Sequence, residues 1–277
     1  MTAGAVEAER NTALLRWYEA EARSFPWRAT SDPYAILVSE TMLQQTRADR
    51  VEPFYRGFME HFPNVASLAA APFAEVARSW SGLGYNNRAL RLHQAAKVIA
   101  GRGWPDTVEQ LEDLPGVGAY TARAVAVFAF GRRDVAVDTN LKRVLSRWYG
   151  EALSGTGLHR AALDALGDDA VSWNQAMMDL GATICRPRRP GCDRCPVEPW
   201  CTGPEVYQPP SAQGRFEGSV RQVRGALVRM LVDGVIDDAE LDRTMGHLPT
   251  DLVAEALDGL MNDGLVVETE AGYELTD

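Results

Sequence analysis

The chain has 277 residues, 46% of them hydrophobic, and a formal net charge of −10 at pH 7, which is enough apolar material for one large domain or two to three smaller ones. No run approaches the ~18 uncharged apolar residues that a membrane span needs, and residues 1–10 carry no apolar stretch of the signal-peptide kind; the expectation is a cytoplasmic protein with no membrane partner. The acidic total does not exclude a nucleic-acid ligand, because fourteen Asp and Glu against five Arg lie in residues 211–277 and the rest is close to neutral.

Residues 7–23 place Ala13, Leu14, Trp17 and Tyr18 at helical spacing. Asp32 and Pro33 form an N-cap and first-turn pair that opens a helix reaching about Thr46. Further helical runs cover 47–61, 72–80, 87–100, 107–113, 120–130, 139–149 and 171–184, with Gly or Pro in nearly every gap. No strand-like alternation occurs, so an all-α core is predicted. Composition shifts at Gln208, Pro209 and Pro210, where a domain boundary is placed. Beyond it, 220–231, 238–245 and 250–261 read as helices, and 265–267 with 273–275 as a β-hairpin. That order predicts a small α+β, winged-helix-like module over residues 211–277. Its third helix offers Asp251, Glu255 and Asp258 and no Lys or Arg, a face that repels phosphate. The module is therefore expected to be structural or to contact a protein partner.

All four cysteines fall in one short run, Cys185, Cys192, Cys195 and Cys201. Four thiolates on loops hold either zinc or a [4Fe–4S] cluster, and spacing alone leaves both open; disulfides are disfavoured in a cytosolic protein. The loop between the first two cysteines carries Arg186, Arg188 and Arg189 among prolines, a candidate contact for DNA phosphates. A second basic group, Arg123, Arg132, Arg133, Lys142, Arg143 and Arg147, faces only Asp134 and Asp138. Between two helical runs, Leu114-Pro115-Gly116-Val117-Gly118 forms a turn whose N–H groups can cradle a phosphate at a helix N-terminus. A plain helical-hairpin turn is the blander reading.

Two carboxylates stand out. Glu40 interrupts an apolar helical face made by Ile36, Leu37 and Leu43, where burial raises a carboxyl pKa and suits a general acid. Asp138 follows Val135-Ala136-Val137 and opens the next helix, an N-cap that is expected to stay ionised. One protonated and one charged carboxyl is the pairing that glycosidic cleavage uses.

These strings resemble the helix-hairpin-helix glycosylase superfamily, and within it the MutY-type adenine DNA glycosylases. The resemblance runs from about Trp17 to Cys201. It is carried by Pro26-Trp27-Arg28, by Ser39-Glu40-Thr41-Met42-Leu43-Gln44-Gln45-Thr46, and by Gly82-Leu83-Gly84-Tyr85. The turn at Leu114, Val137-Asp138-Thr139-Asn140 and the run from Asn174 to Gly181 add to it. It implies a two-domain core: a six-helix domain at 33–137, and an iron–sulfur cluster domain built from 1–32 and 138–205 with Cys185, Cys192, Cys195 and Cys201 on a [4Fe–4S] cluster. It further implies that Glu40 protonates adenine, that Asp138 stabilises the sugar cation, and that Tyr120 and Asn140 position them. Trp27, Arg28, Leu43 and Asp179 would line the base pocket, with Gln45, Thr46, Leu83 and Tyr85 beside the opposite base. Leu114, Gly116, Val117 and Gly118 would hold the backbone of double-stranded DNA containing a mispair. Endonuclease III-like enzymes carry a nucleophilic lysine where this chain has Tyr120, so a monofunctional, monomeric enzyme is implied. The family often has a second tyrosine after Tyr85, here Asn86, and many members carry a MutT-like 8-oxoguanine-reading domain, for which the acidic tail is too short. Excision of thymine, uracil or hypoxanthine, or lesion binding without catalysis, are the rival expectations.

Overall fold

The computed structural model describes residues 3–207 and 214–276; the boundary expected at Gln208, Pro209 and Pro210 lies outside them. In chain order the helices are α1 (Ala3–Glu21), α2 (Pro33–Leu43), α3 (Ala48–His61), α4 (Val65–Ala70) and α5 (Phe73–Trp80). There follow α6 (Asn87–Arg102), α7 (Val108–Glu112), α8 (Ala119–Phe128), α9 (Thr139–Tyr149), α10 (Gly155–Ala165) and α11 (Ala170–Thr183). The C-terminal part holds α12 (Val220–Leu231), α13 (Asp238–Met245) and α14 (Thr250–Asn262), then strands β1 (Val266–Thr269) and β2 (Gly272–Leu275). The fold is mostly helical, and the hairpin is the only sheet among the described residues.

Local chemistry sets most boundaries. Asp32 accepts from the Tyr34 amide at 3.0 Å at the start of α2, and Asp169 caps α11 through Ser172 N. Asp138 caps α9, which ends at Gly150 in the left-handed region, φ 70°. Two helices escape the sequence reading. α4 is six residues long and rests on an Asn64–Ser67 capping box; α10 opens with Gly155 and Gly157, which read as loop.

The chain divides into two compact units. The first takes residues up to Ile36, Thr107–Glu109 and the chain from Gly118 through the cysteine run; the second takes Leu37–Asp106, Gln110–Val117 and the C-terminal helices and hairpin. This division differs from the sequence expectation: residues 33–36 and 107–109, with α8 and the segment after it, group with the cysteine run, and the C-terminal elements group with α3–α6 instead of standing alone.

The first unit is built on Leu14, Leu141, Leu145, Trp148, Trp173 and Leu180. Its irregular stretch Asp134–Val137 has no helical bonds of its own, and α11 supplies replacements. Asn174, fully buried, accepts from Ala136 N at 2.8 Å and donates to Asp134 O at 3.1 Å. In the second unit Trp80 meets Phe58 edge-on at 5.9 Å and His93 stacks on Phe73. The C-terminal elements pack α12 against α14 over Leu227, Leu231, Leu257 and Leu260, and Arg224 pairs with Asp263. Arg78 of α5 donates to Val232 O at 2.8 Å, fastening this part to the rest of its unit. The acidic positions Asp251, Glu255 and Asp258 are exposed.

Replacing Asn174 by Ala strands the Ala136 amide in the interior. The expected loss is about 1–3 kcal/mol, read as a lower urea midpoint at unchanged slope. An unchanged midpoint would mean that the segment before Asp138 does not depend on this contact.

Candidate functional site

In the first unit, Asp138 uses both carboxylate oxygens. One accepts from Leu141 N at 2.7 Å, the other from Asn140 Nδ2 at 2.6 Å. Asn140 Oδ1 in turn accepts from Arg143 Nη2 at 2.7 Å. The Arg143 guanidinium also donates to Gly181 O and Cys185 O, both at 2.7 Å. This fit requires Gly181: a Cβ there would lie 2.5 Å from Asn140 Cβ. The cap forms as expected, but the ionisation does not follow the simple rule. Burial pushes the Asp138 carboxyl up, and although the Leu141 and Asn140 hydrogen bonds and the Arg143 charge pull it down, it stays above its ordinary value. A helix N-terminus favours the anion by a modest amount, and here desolvation outweighs it.

Asp179 is not free to line a pocket. It is fully buried, and Arg28 engages it in a fork, Nη1 to Oδ2 and Nη2 to Oδ1, each at 2.8 Å. Arg23 adds Nε to Oδ1 at 2.7 Å and its amide to Oδ2 at 3.0 Å. Burial pushes this carboxyl up, but the bonds and charge from Arg28, with those from Arg23, hold it below the usual range. Asp179 therefore orients Arg28, and Arg23 was missed because it follows the last turn of α1. Beside them Trp27 stacks on Phe25, rings 4.9 Å apart. Tyr120 lies in the first turn of α8, half-buried.

The second unit carries the other candidates. Glu40 is buried on α2, 5% exposed, and Leu43 ends that helix. Gln45, just beyond, and Tyr85 both adopt the left-handed backbone, φ 58° and 51°, a conformation that costs non-glycine residues about 1–3 kcal/mol. Both side chains are exposed, and Thr46 is half-buried. Leu83, between Gly82 and Gly84 in the same turn, is buried, 4% exposed. In the turn after α7, Val117 N donates to Leu114 O at 3.1 Å. Gly116 is doubly constrained there, with φ 76° and Arg91 Cβ 2.5 Å from where its own Cβ would be. Gly118 caps α8.

All four cysteines line one pocket of the first unit, with Trp148, Leu180 and Ile184 as its apolar wall. Burial and the neighbouring thiols push Cys195 up to about 11 and raise Cys192 and Cys201, so the set favours thiolates only around a cation. No three His, Cys, Asp or Glu among the described residues converge as a single metal ion would require. Arg147 organises the loop: its guanidinium donates to Cys185 Sγ at 3.1 Å, Arg186 O at 2.9 Å and Pro187 O at 3.2 Å. Arg143 and Arg147 are 3% and 2% exposed, so the basic patch read from the sequence gives up its two central members to the interior. Arg132, Arg133 and Lys142 stay exposed, as do Arg186, Arg188 and Arg189.

Residues 38–157 match the model of the HhH-GPD superfamily, base excision DNA repair proteins. The chain is 41% identical over 280 residues to an adenine DNA glycosylase of Mycobacterium tuberculosis, covering 95% of this chain and 91% of that protein. It is 41% identical to another of Mycolicibacterium smegmatis, covering 94% and 93%. Among solved structures, a thermostable thymine-DNA glycosylase superposes with TM-score 0.69 at 31% identity, over 74% of this chain and 99% of that one. The chain belongs to the adenine DNA glycosylase family of the HhH-GPD superfamily.

Replacing Asn140 by Ala removes a hydrogen bond that favours the Asp138 anion. The Asp138 titration, followed by carboxyl-carbon NMR, is expected to move to higher pH. A midpoint that stays put or falls would show that Asn140 does not set this ionisation.

Proposed function

We propose that this chain is a monofunctional DNA glycosylase of base excision repair that removes adenine opposite 8-oxoguanine or guanine from double-stranded DNA. The observation that carries the reading is a doubly hydrogen-bonded Asp138 in a chain 41% identical, over 95% of its length, to an adenine DNA glycosylase. The target base is turned out of the stack, at a cost of a few kcal/mol that pocket contacts offset. Glu40 delivers a proton to a ring nitrogen of adenine, so the base leaves neutral as the bond to the sugar carbon breaks. The Asp138 carboxylate stabilises the cationic sugar that results. Water adds its hydroxide to that carbon, and its remaining proton restores the acid. Tyr120 stands where a lysine nucleophile would have to be, so no Schiff base forms and the strand stays intact. Asn140 holds Asp138, while Trp27, Arg28 and Leu43 border the base.

Cys185, Cys192, Cys195 and Cys201 would hold a [4Fe–4S] cluster, which cross-links this part of the chain when bound. The exposed Arg186, Arg188 and Arg189 and the Leu114–Gly118 turn then meet phosphates. The chain acts as a monomer in the cytoplasm, on nucleoid DNA. A second reading, excision of thymine or a related base, draws support from the likeness to the thymine-DNA glycosylase. The acidic C-terminal part is assigned contact with a protein.

Two experiments bear on this. Single-turnover release of adenine from duplexes with A opposite 8-oxoguanine and A opposite G is expected to be fast. In Glu40→Gln it should fall by about 10²–10⁴. Release of thymine, uracil or hypoxanthine but not adenine would move the assignment to the second reading; tight binding with no release at all would leave a lesion-binding protein. Separately, neutralising Arg186, Arg188 and Arg189 should flatten the salt dependence of duplex binding by about one unit of slope for each phosphate that an arginine no longer neutralises. An unaltered slope would remove this loop from the interface.

A further inference from the structure

Arg88 lies on α6, 9% exposed, and its side chain turns back into two separate loops. Nη1 donates to Thr41 O at 2.9 Å, Met42 O at 2.8 Å and Gln44 O at 2.5 Å. Thr41 and Met42 lie in the last turn of α2, whose carbonyls lack a helical donor, and Gln44 follows it directly. Nη2 reaches Thr46 Oγ1 at 3.3 Å and Gly84 O at 3.0 Å, and Nε points at Tyr85 O at 3.4 Å. The contacts thus flank Gln45 on both sides, through Gln44 and Thr46, and flank the amide of Tyr85 likewise, through Gly84 and Tyr85. These are two of the three non-glycine residues with positive φ among the described residues. The guanidinium also sits over the Tyr85 and Trp80 rings at 5.4 and 5.3 Å, and Trp80 Nε1 donates to the same Gly84 carbonyl at 3.2 Å.

We propose that Arg88 is a positioning residue that clamps Gln45 and Tyr85 in their strained, outward-facing conformations, so that both side chains meet the base opposite the excised one as a single prearranged unit. This rests on the reading, given above, that Gln45 and Tyr85 touch that base. A left-handed φ of 58° or 51° costs each of these non-glycine residues about 1–3 kcal/mol, which their surroundings must offset. A planar fork with five donors matches carbonyls arriving from two loops, which the single ammonium of lysine does not. Burial lowers the Arg88 pKa only to about 10, so the clamp stays charged at any working pH.

The test uses a duplex carrying a non-cleavable 2′-fluoro adenosine opposite a fluorescent guanine analogue that brightens when unstacked. Wild-type protein should brighten it on binding, and Gln45→Ala and Tyr85→Ala should each lose most of that signal. Arg88→Lys keeps the charge and can still serve the α2 carbonyls. It is expected to lose the signal as the alanine variants do, with melting temperature and affinity for an undamaged duplex near wild type, and with a single-turnover rate down about tenfold or more through misplacement. Full brightening by Arg88→Lys, while either alanine variant is dim, would overturn the clamp. Full brightening by both alanine variants would instead overturn the base-contact reading, and the proposal with it. Should Arg88→Lys fail to fold, Arg88→Lys/Gln45→Gly should fold again, because glycine takes the left-handed conformation without strain; failure of that rescue would also count against the clamp.

Discussion

A guanidinium buried away from water must find an acceptor for each of its donors or impose a penalty of several kcal/mol. Arg143, 3% exposed, meets most of this demand with four acceptors, the side chain of Asn140 and the carbonyls of Thr139, Gly181 and Cys185. Those acceptors come from α9, from α11 and from the start of the cysteine run. One side chain therefore fixes the spacing of two helices, the departure of the first cysteine and, through Asn140, the orientation of Asp138. The close passage of α11 at Gly181 is a consequence: any side chain there would occupy the space of Asn140.

The same device recurs. Arg147 gathers Cys185, Arg186, Pro187 and Pro204 carbonyls around the thiols, and Arg88 does so for the two loops that flank Gln45 and Tyr85. In each case a side chain on a helix projects a fork of donors onto helix ends and the irregular chain beside them. That division of labour suits a protein whose chemistry sits on loops and helix ends. It also explains how so few regular elements near the candidate residues can hold them rigidly.

Much of the architecture was legible because its punctuation is local. Asp138, Asp169 and Asp237 each accept an amide at a helix start, and such signals survive in a bare sequence. The bounds of α9 and α13 agree with the sequence reading to the residue, and those of α11 to within one. α4 and α10 did not, since one is too short to show a period and the other begins in glycines. The cysteines and the acidic pair were visible as residue types at telling spacings. Burial was not visible. Arg143 and Arg147 are four apart beside an apolar stripe of Leu141, Val144, Leu145 and Trp148, and a charge count placed them on the surface. The burial of Leu83 and the two arginines on Asp179 were equally invisible in the sequence. Arg88, in the first turn of α6 after two asparagines, offered no signal at all, because its partners at Thr41, Met42, Gln44 and Thr46 are more than forty residues away in sequence.

Asp138 holds its proton to a higher pH in the folded chain than an exposed aspartate does. By linkage, its contribution favours folding below the unfolded value of about 3.9 and is lost as pH rises through the folded value. At neutral pH, then, this carboxylate works against the fold that cages it. The hydrogen bonds from Leu141 and Asn140 and the charge of Arg143 reduce that opposition without cancelling it. The protein therefore keeps a small local instability confined to one carboxyl at the head of one helix, a concession of durability that the rest of the fold must carry.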